Sequence, residues 1–227
     1  PELTKLNVNR FLQISESNFY KVLKPVYKAI EITRRKLEKE KSLISFVGAP
    51  WTLLVYMLDL KKGKKEIDTS KLETSDIKTD AILDKLTKFL CLHIKNQIDA
   101  GADVVQIFDS WAGLIPEKKI NEYCFAPNKK IVEFCKKEKI PNICFPKGIK
   151  ERYEHFNTIV KPDGINLDYQ VNESFLETAI EYDNVRRLVK NTGYKQTGRP
   201  AAFGMATFYI IVPAATTGLG PDRSLIP

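Results

Sequence analysis

The sequence predicts an α/β protein built from parallel βα units, and three observations support this fold class. Short apolar runs rich in β-forming residues alternate with segments whose apolar residues recur at helical spacing. Proline and glycine lie where one pattern changes into the other. Hydrophobic residues make up 43% of the 227 residues, which suffices for one sizeable buried core.

The first half of the chain contains two of these units. Residues 17–39 carry apolar side chains at mostly helical spacing and predict a helix. The β-forming run 43–47, closed by Gly48, predicts a strand. Pro50 opens a predicted helix through residue 60, because proline suits the first helical turn, where its missing N–H needs no partner. The helical pattern of residues 80–98 ends before Gly101, which suits a C-cap.

The second half continues the alternation up to about residue 172. A strand is predicted over 103–108, a helix over 117–137, and further strands over 142–145 and 164–169. Strands that alternate with helices favour a parallel sheet. Beyond this point the chain becomes poor in acidic residues and rich in Gly, Thr, Ala and Pro. We therefore predict one α/β domain over residues 1–175 and a divergent tail over residues 176–227.

Composition argues against several classes of protein. The net charge is +8, but its lysines are scattered over helix-like segments without an arginine and aromatic cluster, so no nucleic-acid partner is predicted. The apolar stretch 201–215 is shorter than the roughly 20 residues that a membrane helix needs. No secretory pattern begins the sequence, so a soluble cytoplasmic protein is predicted. The four cysteines lack metal-site spacing, which predicts free thiols and no metal.

The candidate site lies where the apolar strand of "QIFDSWAGLIP" ends. Alternation along the strand puts Gln106, Phe108 and Ser110 on one face and Asp109 on the other. In a parallel βα fold the carboxyl ends of the strands form the site, so Phe108 and Ser110 are candidates for ligand contact. The alternative is that Asp109 or Ser110 caps the next helix.

A second stretch, "FVGAPWTLLVYML", also ends an apolar strand in unusual residues. Tyr56 lies one helical turn after Thr52, within reach of the carboxyl edge of the sheet. Two such endings on neighbouring units predict a shared pocket that Tyr56 and Ser110 line.

Together, "GAPWTLLVYM" and "QIDAGADVVQIFDSWAG" resemble the uroporphyrinogen decarboxylase family. Its sequences carry G-(A/S)-P-W-T-x-x-x-Y-M and A-G-A-x-x-x-Q-(I/L)-F-(D/E)-S-x-A-G in this order, and "GINLDYQV" is similar to a later strand of that family. The resemblance implies a (β/α)8 TIM barrel that acts as a homodimer without a metal or organic cofactor. It implies a carboxy-lyase of haem biosynthesis that converts uroporphyrinogen to coproporphyrinogen by removing CO2 from four acetate side chains.

The resemblance also assigns residues. Tyr56 and Ser110 match substrate-binding positions, Phe108 matches an apolar residue of the cleft, and Asp168 matches a strand-end aspartate without an assigned role. The family's R-Q-A-G-R-Y segment and its catalytic aspartate do not precede "GAPWT" here, and its N-L-G-H-G loop is not found. We therefore assign no catalytic residue and expect an incomplete barrel, a fragment whose own activity is in question.

Two alternatives remain open. The first is a non-catalytic module that binds a tetrapyrrole or another partner. The second is a corrinoid-dependent methyltransferase of the same superfamily, whose zinc ligands would fall at Phe145 and Lys147. Neither phenylalanine nor lysine is an ordinary zinc ligand, so this alternative is the weaker one.

Overall fold

A computed structural model describes residues 8–63, 66–73 and 78–168 and the backbone of a short strand at 208–210. The regular elements, in chain order, are α1 (Val8–Leu12), α2 (Glu16–Lys36), β1 (Ile44–Gly48), α3 (Pro50–Met57), α4 (Thr79–Asp99), β2 (Val104–Asp109), α5 (Ala126–Lys137), β3 (Asn142–Pro146), α6 (Tyr153–Val160), β4 (Gly164–Leu167) and β5 (Phe208–Ile210). Short 3₁₀ turns occur at Thr69–Glu73, Ala112–Leu114, Glu117–Lys119 and Lys150–Arg152.

The strands form one sheet in the order β1-β2-β3-β4-β5. The first four are parallel and follow chain order, as successive βα units of a barrel do, and β5 pairs antiparallel with β4. The predicted α/β class is confirmed, and the described sheet corresponds to part of a barrel. The predicted tail, residues 176–227, lies outside the described residues apart from the backbone of β5.

One face of the sheet packs against the helices and forms the core. Val105 and Ile107 of β2 are fully buried on this face, together with Trp51 and Leu54 of α3 and Ile94 of α4. The alternate residues of the strands lie on the opposite face. There the edge strand β1 exposes Ile44 and Phe46, the latter to 67%.

Most predicted elements agree with the structure within three residues, and two differences have a physical reason. The predicted helix 117–137 is divided into a 3₁₀ turn, a π turn at Asn121–Phe125 and α5. Pro127 lacks the N–H that an α-helix would direct to residue 123, and the wider turn precedes it. The helix predicted over 50–60 ends at Met57, and Asp59 adopts a left-handed backbone with φ of 47°.

Candidate functional site

The strand ends of β1 and β2 lie side by side. Gly48 of β1 is in register with Phe108 of β2, and the amide of Ala49 donates a hydrogen bond of 2.8 Å to the Phe108 carbonyl. The loops that follow the two strands therefore start at the same edge of the sheet, as the sequence predicts for neighbouring parallel units.

Tyr56 lies against the loop that begins with Ser110. Its ring contacts the Trp111 ring edge to face, with centroids 6.1 Å apart and planes at 77°. Ser110, directly before Trp111, is exposed, and Tyr56 is 47% exposed. These three residues, Tyr56, Ser110 and Trp111, form what we call the rim. Both predicted ligand-contacting hydroxyl groups thus belong to segments that touch each other.

Phe108 belongs to an aromatic row on the sheet face opposite the core. Its ring is 6.0 Å from the rings of Phe46 on β1 and Phe145 on β3, edge to face in both cases. Phe108 itself is half-buried. Phe46 and the half-buried Phe108 give this face of the sheet an accessible apolar surface next to the rim, and the buried Phe145 packs beside Phe108. Such a surface suits a flat hydrophobic ring system.

Asp109 has a different position from its neighbours, because its side chain enters the core side of the sheet. The carboxyl group is buried and accepts hydrogen bonds from Thr52 Oγ1 at 2.8 Å and from Asn128 Nδ2 at 3.1 Å. Burial raises the pKa of Asp109 to about 6, although the hydrogen bonds from Thr52, Cys124 and Asn128 lower it. Neither Asp109 nor Ser110 caps the turns at 112–114 and 117–119, which have no side-chain cap.

Two hydrogen bonds at the backbone of Trp111 attach the rim to α3. Trp51 Nε1 donates to the Trp111 carbonyl at 3.0 Å, and the Trp51 ring stacks on Tyr123 with a centroid distance of 5.2 Å. The Trp111 amide donates to Thr52 Oγ1 at 3.4 Å. The sequence predicts no role for Thr52, and the one signal it contains is the spacing of four residues that places Thr52 and Tyr56 on the same side of one helix.

A positive charge also lies at the rim. The Lys61 ammonium group is 5.4 Å from the centroid of the Trp111 ring, a cation–π distance. A lysine in this place is suited to hold a carboxylate beside an aromatic surface. In the sequence Lys61 is one of many scattered lysines, and no local pattern connects it with Trp111, so its place at the rim is not predicted.

Asp168, at the end of β4, is buried and accepts a hydrogen bond from the amide of Gly148 in the loop after β3. Its own amide donates to the Tyr153 hydroxyl at 3.4 Å, and burial raises the pKa of Tyr153 well above its ordinary value. The Lys147 carbonyl in that same loop accepts from Gly113 at 2.9 Å. The loops after β2, β3 and β4 are thus joined to one another.

Metal-ligating groups do not gather within the described part of the chain, where no set of three or more His, Cys, Asp or Glu side chains is placed to share an ion. His93 packs between Tyr27 and Gln97, with ring nitrogens 3.1 Å from the Tyr27 hydroxyl and 2.9 Å from the Gln97 amide. Burial lowers the pKa of His93 to about 4.

Among the described helices, none has the length and apolar character needed to span a membrane.

A parallel βα sheet with hydroxyl groups, an aromatic row and a lysine near its carboxyl edge defines a class of proteins. These are α/β proteins of the barrel type, which bind a ligand at the carboxyl edge of the strands. Comparison with known families agrees with this class. Residues 1–188 match the sequence model described as "Uroporphyrinogen decarboxylase (URO-D)", and the chain belongs to this family.

Individual relatives carry the same name. A uroporphyrinogen decarboxylase of Orientia tsutsugamushi strain Boryong is 42% identical over 188 residues, which cover 79% of this chain and 51% of the relative. The protein of strain Ikeda is 46% identical over 154 residues, 64% of this chain and 44% of the relative. That of Rickettsia bellii is 36% identical, covering 74% of this chain and 50% of the relative. The chain therefore spans about half the length of these curated relatives.

Proposed function

We propose that the protein is a uroporphyrinogen decarboxylase, which removes CO2 from the four acetate side chains of uroporphyrinogen to give coproporphyrinogen, and that this chain supplies part of its substrate cleft. The observation that carries the proposal is the contact of the Tyr56 ring with Trp111, directly beside Ser110. The family match over residues 1–188 supports it.

The chemistry of the substrate fits the surface. A tetrapyrrole presents an apolar ring system and peripheral carboxylates, so its site needs an apolar wall and donors around it. The accessible rings of Phe46 and Phe108 supply such a wall, and the buried Phe145 supports Phe108. The hydroxyl groups of Tyr56 and Ser110 donate hydrogen bonds to carboxylates, and the Lys61 ammonium group adds a positive charge.

The substrate ring itself can accept the electrons of the reaction. Protonation of a pyrrole carbon gives a cationic ring, and this ring accepts the electron pair left when the carboxylate departs as CO2. Protonation of the exocyclic methylene carbon that remains then completes the new methyl group, and release of the first proton from the ring carbon restores the neutral pyrrole. The residues described here bind and orient the substrate in this scheme, and an anionic group that stabilises the cationic ring is needed in addition.

The test measures binding and turnover separately for this chain. Binding is followed by quenching of tryptophan fluorescence on titration with uroporphyrin, the oxidised and stable form of the ring, and turnover by coproporphyrinogen formation. We expect Tyr56→Phe and Ser110→Ala each to weaken binding about fivefold to tenfold, since each removes one hydrogen bond to a charged group.

Matched controls are available on the same chain. Tyr20 of α2 is 43% exposed, close to the 47% of Tyr56, and Ser42 precedes β1 at the opposite edge of the sheet. Tyr20→Phe and Ser42→Ala should therefore bind uroporphyrin as the unchanged chain does. If the controls and the rim variants lose affinity equally, or if the unchanged chain does not bind, the proposal is wrong.

A second candidate is a tetrapyrrole-binding module without catalysis. The observation that favours it is the chemistry of the described site, where Tyr56, Ser110 and Lys61 supply hydroxyl groups and an ammonium group, which bind carboxylates but do not supply an anion for a cationic ring. Binding of uroporphyrin with no formation of coproporphyrinogen would support the module. Turnover would support the decarboxylase.

We further propose that the protein is a cytoplasmic homodimer that has no nucleic-acid partner. The family resemblance supports the dimer, and the scattered arrangement of the lysines supports the lack of nucleic-acid binding. Light scattering of the purified protein tests the dimer, and a mass of one chain at micromolar concentration contradicts it.

A further inference from the structure

Three elements of the fold meet at the carboxyl group of Asp109. The residue ends β2, accepts from Thr52 in the first turn of α3 at 2.8 Å, and accepts from Asn128 near the start of α5 at 3.1 Å. The side chain of Asn128 also donates to the Cys124 carbonyl at 2.8 Å, so it is held in place itself. Asp109 is 1% exposed and lies on the core side of the sheet.

A short path of hydrogen bonds leads from this carboxyl group to the rim. Thr52 Oγ1 donates to Asp109 and also accepts from the amide of Trp111. Both chain neighbours of Ser110 are therefore bound to one hydroxyl group. Tyr56 follows Thr52 by one turn of the same helix. The position of Ser110 relative to Tyr56 is thus fixed through Thr52.

We propose that Asp109 and Thr52 are positioning residues, which hold Ser110 and Tyr56 at the separation that the substrate requires. This inference rests on the proposed function for the identity of the substrate. Asp109 does not contact the substrate, because Phe108 and Ser110 point to the other face of the strand. The Asp109 carboxyl group accepts the hydrogen bond that the Thr52 hydroxyl donates, and this orients the hydroxyl group. A lone pair of the Thr52 hydroxyl oxygen is then free to accept the hydrogen bond from the Trp111 amide.

The substitution Thr52→Val tests this directly, because valine has nearly the shape of threonine and lacks the hydroxyl group. It removes one donor to a buried carboxyl group and one acceptor for a loop amide. Thr52→Ser restores both functions with a smaller side chain. Thr87→Val is the matched control, since Thr87 is also buried and its hydroxyl donates to the Leu83 carbonyl within α4.

The first readout is amide hydrogen exchange in the segment 109–114, which needs no ligand. We expect Thr52→Val to speed exchange there about tenfold or more, the change that follows from losing a hydrogen bond to a charged group. Thr52→Ser should stay within about threefold of the unchanged chain, and Thr87→Val should leave this segment unaffected. The second readout is the Kd for uroporphyrin, which we expect to rise about fivefold in Thr52→Val and to recover in Thr52→Ser.

The two readouts separate the inference from the proposed function. If the unchanged chain does not bind uroporphyrin, the proposed function fails, and exchange in segment 109–114 still decides whether Thr52 holds the loop. Equal exchange in Thr52→Val and Thr87→Val overturns the inference, as does an unchanged Kd in Thr52→Val when the unchanged chain binds. Should Thr52→Val not fold, the Trp111 amide of the unchanged chain is measured instead: protection of about tenfold or more is expected, and exchange at the rate of an unfolded peptide overturns the inference.

Discussion

The ionisation of Asp109 should make the stability of this protein depend on pH in an unusual direction. Its folded pKa is about 6 and its ordinary value 3.8, because burial penalises the charged form. A difference of about two units corresponds to about 3 kcal/mol of differential stability between the two protonation states, at 1.36 kcal/mol per unit. The perturbation that isolates this contribution is Asp109→Asn, which keeps the shape of the side chain and cannot ionise.

The sign follows from proton binding. Between about pH 4 and pH 6 the folded chain holds a proton on Asp109 and the unfolded chain has released it, so the free energy of unfolding falls as the pH rises through this window. The loss is complete about one pH unit above the folded pKa, near pH 7, and is constant beyond it. The thiol of Cys124 faces the same carboxyl group, but burial raises its pKa well above the ordinary value, so it stays neutral throughout.

The assay is urea unfolding at intervals from pH 4 to pH 8, with the unchanged chain and Asp109→Asn measured in parallel. His93 has an effect of opposite sign in this range, but it is present in both proteins and cancels in the difference. The difference in the free energy of unfolding should change by about 2 kcal/mol between pH 4 and pH 6 and level off near pH 7, because part of the full contribution of about 3 kcal/mol is already lost below pH 4. Asp84→Asn, an exposed carboxylate paired with Lys130, serves as the control. A pH-independent difference for Asp109→Asn would show that the carboxyl group is not desolvated as described.

Two further predictions concern the loops and the helical layer. Gly113→Ala should destabilise the protein by about 2 kcal/mol or more in urea unfolding, because the added methyl carbon would lie 2.6 Å from the Gly148 carbonyl carbon. Gly63→Ala is the control. No atom lies within 4 Å of its new carbon, so its stability should change by less than about 0.5 kcal/mol. The unchanged chain should lose stability as the pH falls from about 6.5 to about 4, because burial lowers the folded pKa of His93 and the unfolded chain takes up the proton first. His93→Gln should remove this loss. His155→Gln, at an exposed histidine, is the control, and an equal effect of both variants in acid unfolding would contradict the prediction.

The aromatic row and the rim differ in how far they could be predicted. Phe108 and Ser110 share a strand, so alternation alone places them on one face, and the structure has Phe108 in the aromatic row and Ser110 exposed at the strand end. Phe46 and Phe145 come from other strands, and their contact with Phe108 depends on strand register. The sequence predicts each strand but contains no local signal for how neighbouring strands align.

Helix α6 shows a limit of a different kind. It has eight residues, Tyr153–Val160, and no element is predicted for this segment from the sequence. A helix of two turns is marginal by its own propensity and is stabilised by tertiary packing. Tyr153 and Phe156 are fully buried, so the sheet and its neighbouring helices stabilise this segment and local pattern does not reveal it.

The sequence by itself determined the order of the βα units, the position of Ser110 at a strand end and of Tyr56 on the helix after the preceding strand, and the resemblance that names the family. These properties depend on neighbours along the chain: helical or alternating spacing, punctuation by proline and glycine, and two continuous motifs. Only the tertiary structure decided that Asp109 enters the core, that its carboxyl group binds Thr52 across 57 positions of sequence, and that Lys61 lies over Trp111. The physical reason is that a hydrogen bond or a cation–π contact depends on distances in space of a few ångströms, and the packing of helices on the sheet alone sets those distances.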